Sequence, residues 1–323
     1  MTLYLQVNTK GKHREDLIFY LSFAWILTLI FLIFPARLFS SDIREKKEIV
    51  LGMSAAFSGY SAHLGTNMRT GITTAINEIN RNNKLKSKRI TLYSLDDGYE
   101  PKRAVENVQN LITEKHAICL IGNVGTPTSV AAIPVSTNLK TLFYGAYTGA
   151  GALRKTPPDR YVINYRASYS EETASMVHAL VQYAAIKPHE IAFFTQRDSY
   201  GDAGFYGAVT VLKEHGLSES SRIVHGRYNR NSLAVEYGIA DILMADPEPR
   251  AVIMVGAYAQ TAQFIRKVRE GGLKSILLSV SFVGADPLVG ELGSDGNGVI
   301  VTQVVPHYDS DLPIVLDFRE SMD

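Results

Sequence analysis

The residues best placed for chemistry are hydroxyl and aromatic side chains that follow short apolar runs. In the clearest case, the apolar run 118–121 reads as a buried strand, and Gly122, Gly125 and Thr126-Pro127 lead from it into a helical pattern. We expect Thr126 to be the helix N-cap and Pro127 the first helical residue. A hydroxyl and free backbone N–H groups at a strand end suit an anionic group such as a carboxylate. An ordinary strand–loop–helix connection is the alternative.

Four more predicted strands run into residues of the same kind. These residues lie at the end of each predicted strand or directly after it, in the segments 143–150, 196–202, 256–258 and 280–284. The carboxyl ends of parallel strands meet at one edge of a sheet, where open α/β folds bind ligands. Five such segments in two halves of the chain therefore predict the two walls of a cleft. For any single tyrosine, a half-buried loop position without function is an equal alternative.

The chain carries no catalytic signature. It has no Gly-x-Ser-x-Gly, no His-Glu-x-x-His and no phosphate loop, and its eight histidines are scattered. We therefore expect no catalytic residue, no metal site and no cofactor. Asp96-Asp97 at a strand end is a candidate carboxylate pair or cation site, but capping of the following turn is the favoured interpretation. The single cysteine, Cys119, excludes an intrachain disulfide and is expected to be a small buried hydrophobe.

Composition limits the class of protein. The chain has 323 residues, of which 46% are hydrophobic, so it can bury two cores. Its formal net charge of +1 gives no indication of a nucleic-acid surface.

From Glu48 onward, strands alternate with helices, which predicts parallel sheets covered by helices on both faces. A Pro-Pro turn within residues 154–160 interrupts the series and predicts the approach to a lobe boundary. We place the crossing near residues 165–168 and the return at the Gly-rich stretch 293–298. The predicted first lobe is then 48–165 with 298–323, and the second lobe is 166–297.

The N-terminal segment predicts export. Basic residues precede an apolar run at 17–34, and small residues follow it near Ser40-Ser41, as in a secretory signal. The run also has about the 18 residues that a membrane helix needs. Residues 1–47 are therefore a signal peptide or a membrane anchor with a short linker, and cleavage is favoured. Either way the rest of the chain is expected to be periplasmic or otherwise extracytoplasmic, and 17–34 is the only expected membrane contact.

From Glu48 to its end, the chain resembles the type I periplasmic solute-binding proteins of the leucine/isoleucine/valine-binding family. The resemblance is carried, in order, by Gly52-Met-Ser-Ala-Ala-Phe-Ser-Gly59, Asp96-Asp-Gly-Tyr-Glu-Pro101, Gly122-Asn-Val-Gly-Thr-Pro-Thr128, Tyr200-Gly201 and Gly271-Gly-Leu273. It implies two doubly wound parallel-sheet lobes, joined by three crossings, with the solute held between them. It also implies a longer chain, so we expect this one to be truncated at the C-terminus.

The resemblance also implies a set of ligand contacts. By position they fall on Thr126, Ala146, Thr148, Tyr200, Tyr258 and Ser281. The family's first-lobe hydroxyls and N–H groups bind an amino acid's carboxylate, and Thr126 and Thr148 keep that chemistry. An acid of the second lobe binds the α-ammonium group in the family, but Ser281 stands there in this chain. We therefore expect weak or absent preference for an ammonium group, with Asp198 as an alternative partner.

The function expected from the resemblance is that of an exported, non-enzymatic binding protein. It would close two lobes on a small polar solute, such as an amino acid, a related carboxylate or an amide, and deliver it to the permease of an ABC importer. The alternative is the ligand-sensing ectodomain of a signalling receptor, held in the membrane by an uncleaved 17–34 helix. An enzyme on the same scaffold would need a nucleophile–base pair or a metal cluster, and the sequence offers neither.

Overall fold

Consecutive βα units build two five-stranded sheets. The computed structural model describes residues 47–322. The first sheet has the order β2-β1-β3-β4-β5. Its strands are β1 (Lys47–Ala55), β2 (Lys88–Asp96), β3 (Cys119–Ile121), β4 (Leu142–Tyr144) and β5 (Val162–Ile163). Central β3 pairs in parallel with both neighbours, at Leu51–Cys119 and at Leu120–Phe143.

Three helices connect the strands of the first sheet. They are α1 (Ala62–Arg81), α2 (Pro101–Thr113) and α3 (Thr126–Asn138). Helix α2 illustrates the sequence pattern that predicts a helix. Pro101 is its first residue, and Ala104, Val108 and Leu111 are buried at helical spacing.

The second sheet has the order β10-β9-β8-β6-β7. Its strands are β6 (Ile191–Gln196), β7 (His225–Tyr228), β8 (Ala251–Val255), β9 (Ile276–Ser279) and β10 (Ile300–Val301). The helices around it are α4 (Tyr169–Gln182), α5 (Ser199–Glu214), α6 (Glu236–Leu243), α7 (Tyr258–Glu270) and α8 (Ala285–Leu292). Strands β6 and β8 are buried along their whole length, as expected for central strands covered on both faces.

The predicted fold class of two parallel-sheet α/β lobes is confirmed. The predicted return at 293–298 falls too early, because Ile300 pairs with Leu278 and β10 still belongs to the second sheet. The glycines there form a short 3₁₀ turn, Gly293–Gly296, that leads from α8 into β10. The last helix, α9 (Pro313–Met322), reaches the first lobe, where Ser321 Oγ donates to Glu78 Oε2 at 3.0 Å. The other lobe boundaries stay predictions.

Within residues 47–322, none of the helices has both the length and the apolar character of a membrane span. The segment 17–34, on which the predicted signal or anchor falls, lies outside the described residues.

Candidate ligand-binding site between the lobes

The loop between β3 and α3 presents a buried hydroxyl. Helix α3 begins at Thr126, and the N-cap is Gly125, with φ at 103°. The prediction that Thr126 caps the helix is therefore wrong: the left-handed backbone that only glycine adopts easily puts the cap one residue earlier. A Cβ at Gly125 would also lie 2.3 Å from Cε2 of Tyr99. The Thr126 side chain does not cap the helix, and its Oγ1 lies 2.7 Å from Thr148 Oγ1.

Thr148 and Ala146 come from the loop after β4, and both are buried. The loop turns tightly, because Thr148 N–H donates to the carbonyl oxygen of Ala146 at 2.8 Å. Thr148 Oγ1 also accepts from Ala150 N–H at 3.2 Å. The first turn of α3 leaves backbone N–H groups without intrahelical partners beside this hydroxyl pair. The first lobe thus offers hydroxyl and N–H donors in one buried place, which suits a carboxylate.

Three fully buried rings of the second lobe form the opposite wall: Tyr169, Tyr200 and Phe282. Their centroids lie 5.1 Å apart for Tyr169–Tyr200 and 4.6 Å apart for Tyr200–Phe282. Burial raises the pKa of Tyr169 to about 12, although the nearby hydroxyls of Thr148 and Thr126 oppose the shift. The Tyr169 hydroxyl is buried beside these two hydroxyls, without a well-oriented hydrogen-bond partner.

The two predicted tyrosines lie in different parts of the lobe contact. Tyr200 faces Tyr169 and Phe282, and its hydroxyl donates to the carbonyl of Gly256 at 3.3 Å. Tyr258 instead meets His63 of the first lobe edge to face, at a centroid distance of 5.7 Å.

Ser281 is surrounded by charged groups that the motifs did not single out. Its N–H donates to Glu172 Oε2 at 2.8 Å, and its hydroxyl accepts from Arg166 Nη2. Its carbonyl accepts from the hydroxyl of Tyr147 at 3.3 Å. The Arg166 guanidinium also lies 4.3 Å from the centre of the Tyr147 ring. The Ser281 hydroxyl is therefore already engaged.

Sequence reasoning missed Tyr169 and Glu172, which lie three residues apart on α4. One signal was available. Glu172 sits in the buried stripe of α4 together with Thr173 and Met176, and a charged residue in such a stripe needs an explanation.

Asp198, the alternative ammonium partner, has both oxygens occupied. Asp198 Oδ1 accepts from Tyr200 N–H at 3.0 Å as the N-cap of α5. Asp198 Oδ2 accepts from Gln196 Nε2 at 2.8 Å and from Arg230 Nη1 at 3.0 Å. We therefore do not assign Asp198 to the ligand.

A polar contact beside the site joins the two lobes. Arg230 Nη2 donates to Glu100 Oε2 at 3.1 Å, and Asn231 Nδ2 donates to Glu100 Oε1 at 2.6 Å. Asn231 Nδ2 also reaches the carbonyl of Gly98 at 3.0 Å. Arg230 and Asn231 follow β7 of the second lobe, whereas Gly98 and Glu100 precede α2 of the first. We call these four residues the interlobe latch, because their contacts hold the lobes together.

The Asp96-Asp97 pair is bonded to protein donors. Asp96 accepts from the N–H groups of Phe57 and Gly98, at 2.8 and 3.0 Å, and from the Ser58 hydroxyl at 2.6 Å. Asp97 accepts from the Ser54 hydroxyl and from Tyr99 N–H, both at 2.8 Å. Between residues 47 and 322, His, Cys, Asp and Glu side chains form no group of three or more that could hold a metal. These bonds support the turn-capping interpretation of the pair.

Asp97 should make stability depend on pH. Burial raises the pKa of its carboxyl from 3.8 to about 6, although the Ser54 hydroxyl and Tyr99 N–H oppose the shift. The folded state therefore favours the protonated form of Asp97. The resulting contribution to stability is complete below the pKa of the unfolded state and is lost as pH rises through the pKa of the folded state. We expect the free energy of unfolding to fall by about 2 kcal/mol from this group between about pH 4 and pH 7. Urea denaturation across this range measures it.

Asp97→Asn should flatten that dependence, and Asp96 supplies a control of opposite sign. Burial alone would raise the pKa of Asp96, but its hydrogen-bond donors lower it to about 2. Its stabilising contribution is thus present above the unfolded pKa and is lost as pH falls through about 2. A wild-type curve unaffected by Asp97→Asn would contradict the assignment.

A cavity of about 390 Å³ lies elsewhere, at the edge of the second sheet where its strands begin. Its lining includes Ile186, Arg250 and Ile276. These residues precede or start β6, β8 and β9, whereas the residues of the candidate site follow the strand ends. This cavity is therefore not part of the site.

Comparison with known proteins identifies the class. A family model described as periplasmic binding protein matches residues 48–323, and the chain belongs to this family. The predicted resemblance is thereby confirmed. Members of the family are described as periplasmic binding proteins, which implies an extracytoplasmic location. They are substrate-binding proteins rather than enzymes.

Individual relatives agree with this class. The crystal structure of a possible leucine/isoleucine/valine-binding protein from Rhodopirellula baltica SH 1 is 51% identical, with a TM-score of 0.83, over 86% of this chain and 74% of that one. A substrate-binding periplasmic protein from Ralstonia solanacearum is 25% identical, with a TM-score of 0.77, over 84% of this chain and 75% of that one. Leu/Ile/Val-binding protein homolog 7 of Brucella suis biovar 1 is 25% identical over 248 residues, or 74% of this chain. The chain spans 60% of the length of that curated relative.

Proposed function

We propose that this protein is an exported solute-binding protein that closes its two lobes on a small carboxylate-bearing solute and delivers it to an ABC importer. The observation that carries the proposal is the hydroxyl pair Thr126–Thr148, 2.7 Å apart and fully buried, facing aromatic side chains of the other lobe. Hydroxyls and free N–H groups fix the polar end of a solute, and aromatic walls enclose its apolar part. Thr126, Ala146, Thr148, Tyr200, Tyr258 and Ser281 remain the proposed ligand contacts, and Tyr169 joins them.

Thr126→Val should weaken binding without unfolding the protein. Valine keeps the shape of threonine, and no cap is lost because Gly125 holds that position. A hydrogen bond to a charged group contributes about 1.5–3 kcal/mol, so affinity should fall roughly 10- to 150-fold. A thermal-shift screen of amino acids, organic acids and amides finds the solute, since a ligand that binds only the folded state raises the melting temperature. Calorimetric titration of the tightest binder then measures the change.

Thr113→Ala is the matched control. Its hydroxyl is exposed at the end of α2 and bonds only locally, to the carbonyl of Gln109 at 3.0 Å and to Glu114 Oε1 at 3.2 Å. Affinity should be unchanged in this variant. A folded Thr126→Val protein that binds as tightly as wild type would refute the assignment of the hydroxyl pair to the ligand.

The membrane-anchored ectodomain is the second candidate. The observation that favours it is the apolar run 17–34, which is long enough to span a bilayer if it stays uncleaved. The solute site would be the same in both cases, and the partner would be a signalling domain in place of a permease.

A further inference from the structure

Two histidines of the second lobe contact each other near the ends of neighbouring helices. His178 Nδ1 lies 2.9 Å from His215 Nε2. The ring centroids are 5.0 Å apart, and the rings meet at an interplanar angle of 75°. His178 belongs to α4, and His215 directly follows α5. The two are 37 positions apart in the chain, so no spacing of histidines in the sequence indicated this contact.

The packing of α4 against α5 fixes the position of the pair. A Cβ at Gly207 of α5 would lie 2.6 Å from Cα of Ser170 in α4, so the two helices approach closely there. His215 comes eight residues after Gly207, and His178 comes eight residues after Ser170. The helices therefore run side by side in the same direction, and the two histidines reach the same level about 12 Å further along.

Neither ring is held in one tautomer by another protein group. The outer nitrogens, His178 Nε2 and His215 Nδ1, make no hydrogen bond to another atom of residues 47–322. The bond between the inner nitrogens needs a proton on one of them, and that ring can carry its proton on the outer nitrogen instead. Both inner lone pairs are then free to coordinate a metal ion, and no net proton is released.

The distance between the inner nitrogens selects the kind of metal ion. With metal–nitrogen bonds of about 2.0–2.1 Å, two ligands at a right angle lie about 2.9 Å apart, and two at the tetrahedral angle about 3.4 Å apart. The observed 2.9 Å fits the right-angled arrangement of tetragonal Cu²⁺ or Ni²⁺. His215 also lies at the C-terminal end of α5, where the partial negative charge of the helix favours a cation.

We propose that His178 Nδ1 and His215 Nε2 bind a divalent transition-metal ion, Cu²⁺ most tightly and Ni²⁺ less tightly. This departs from the expectation of no metal site, which rested on the spacing of histidines along the chain. Among residues 47–322 no third His, Cys, Asp or Glu completes the group, so water fills the remaining coordination positions. The ion would cross-link α4 to α5, which carry Tyr169 and Tyr200 at their other ends.

The metal site is separate from the proposed solute site, because His178 lies about 13 Å along α4 from Tyr169. The ion would therefore stabilise the second lobe without touching the solute.

Calorimetric titrations of the untagged full chain with Cu²⁺ and with Ni²⁺ test the proposal. Wild type should bind either ion at one tight site. His178→Gln and His215→Gln should each weaken binding at least about tenfold. The double variant should lose little more, because the site fails when either ligand is removed. Electron paramagnetic resonance of wild type with Cu²⁺ should show coupling to two imidazole nitrogens, and this readout does not depend on the folding of any variant.

His189→Gln is the matched control. His189 is exposed in the short 3₁₀ turn Pro188–Glu190 of the same lobe. Its removal should leave the affinity for Cu²⁺ unchanged. Ni²⁺ should raise the melting temperature of wild type and of His189→Gln but not that of the two pair variants, because an ion that binds only the folded state stabilises it.

Three results would overturn the proposal. They are a wild-type protein that binds neither ion, folded pair variants that bind Cu²⁺ as tightly as wild type, and a Cu²⁺ spectrum with fewer than two coupled imidazole nitrogens. The last two would show that the ion adsorbs to exposed histidines elsewhere. None of them bears on solute binding, which is judged by its own titrations.

Discussion

Gly201→Ala is expected to lower the free energy of unfolding by about 3 kcal/mol or more. An alanine Cβ at this position would lie 1.9 Å from the carbonyl oxygen of Gln196 and 2.9 Å from its backbone nitrogen and carbon. These are backbone atoms at the end of β6, which pairs with both β7 and β8, so they have little freedom to move. Urea denaturation followed by circular dichroism measures the loss.

The same substitution should impair the site. Gly201 lies in the first turn of α5, directly after Tyr200, and α5 has to shift away from β6 to admit a methyl group. Tyr200 would move with it, out of its contact with Phe282. Gly71→Ala is the matched control, because a Cβ there meets nothing within 4 Å in the interior of α1. That variant should gain about 0.5–1 kcal/mol, and a Gly201→Ala protein of wild-type stability would contradict the close approach.

The fold could be predicted because the sequence patterns that specify its strands and helices are local. The apolar runs at β6, β8 and β9, and the helical stripe of α2, are each readable within a few residues. Strand β7 was missed because His225-Gly-Arg-Tyr228 has little apolar character. Its place in the sheet comes from its parallel pairing with β6, which the composition of the segment does not indicate. The return to the first lobe was placed too early because a Gly-rich turn looks the same between two elements of one lobe as between two lobes.

The site was only half predictable. Thr126 and Thr148 follow neighbouring strands, β3 and β4, so their proximity follows from parallel topology. Glu172 and Ser281 are separated by 109 residues, and they meet through the packing of α4 against the loop after β9. No local pattern specifies such a contact. The proximity of the two hydroxyls could therefore be predicted from the sequence, whereas the contact between Glu172 and Ser281 could not.

Arg230→Ala should weaken solute binding tenfold or more by disfavouring the closed arrangement. In that arrangement Arg230 bonds Glu100 of the first lobe and Asp198 of the second. When the lobes separate, only the contact with Asp198 remains. A hydrogen bond to a charged group contributes about 1.5–3 kcal/mol, and partial exposure of Glu100 places the value toward the low end. Because apparent affinity scales with the population of the binding-competent state, a loss of about 1.4 kcal/mol is tenfold.

Removing Arg230 also leaves Glu100 and Asp198 with no cation between them, so closure would bring two carboxylates together. Glu100→Ala should therefore recover part of the affinity lost in Arg230→Ala, and the double variant measures their coupling. Calorimetry gives the affinities, and small-angle scattering of the ligand-free proteins should show a larger radius of gyration for Arg230→Ala. Lys267→Ala, which breaks the 3.2 Å pair with Glu236 inside the second lobe, should change neither quantity. Equal affinity and equal radius in Arg230→Ala and wild type would show that the interlobe latch does not control closure.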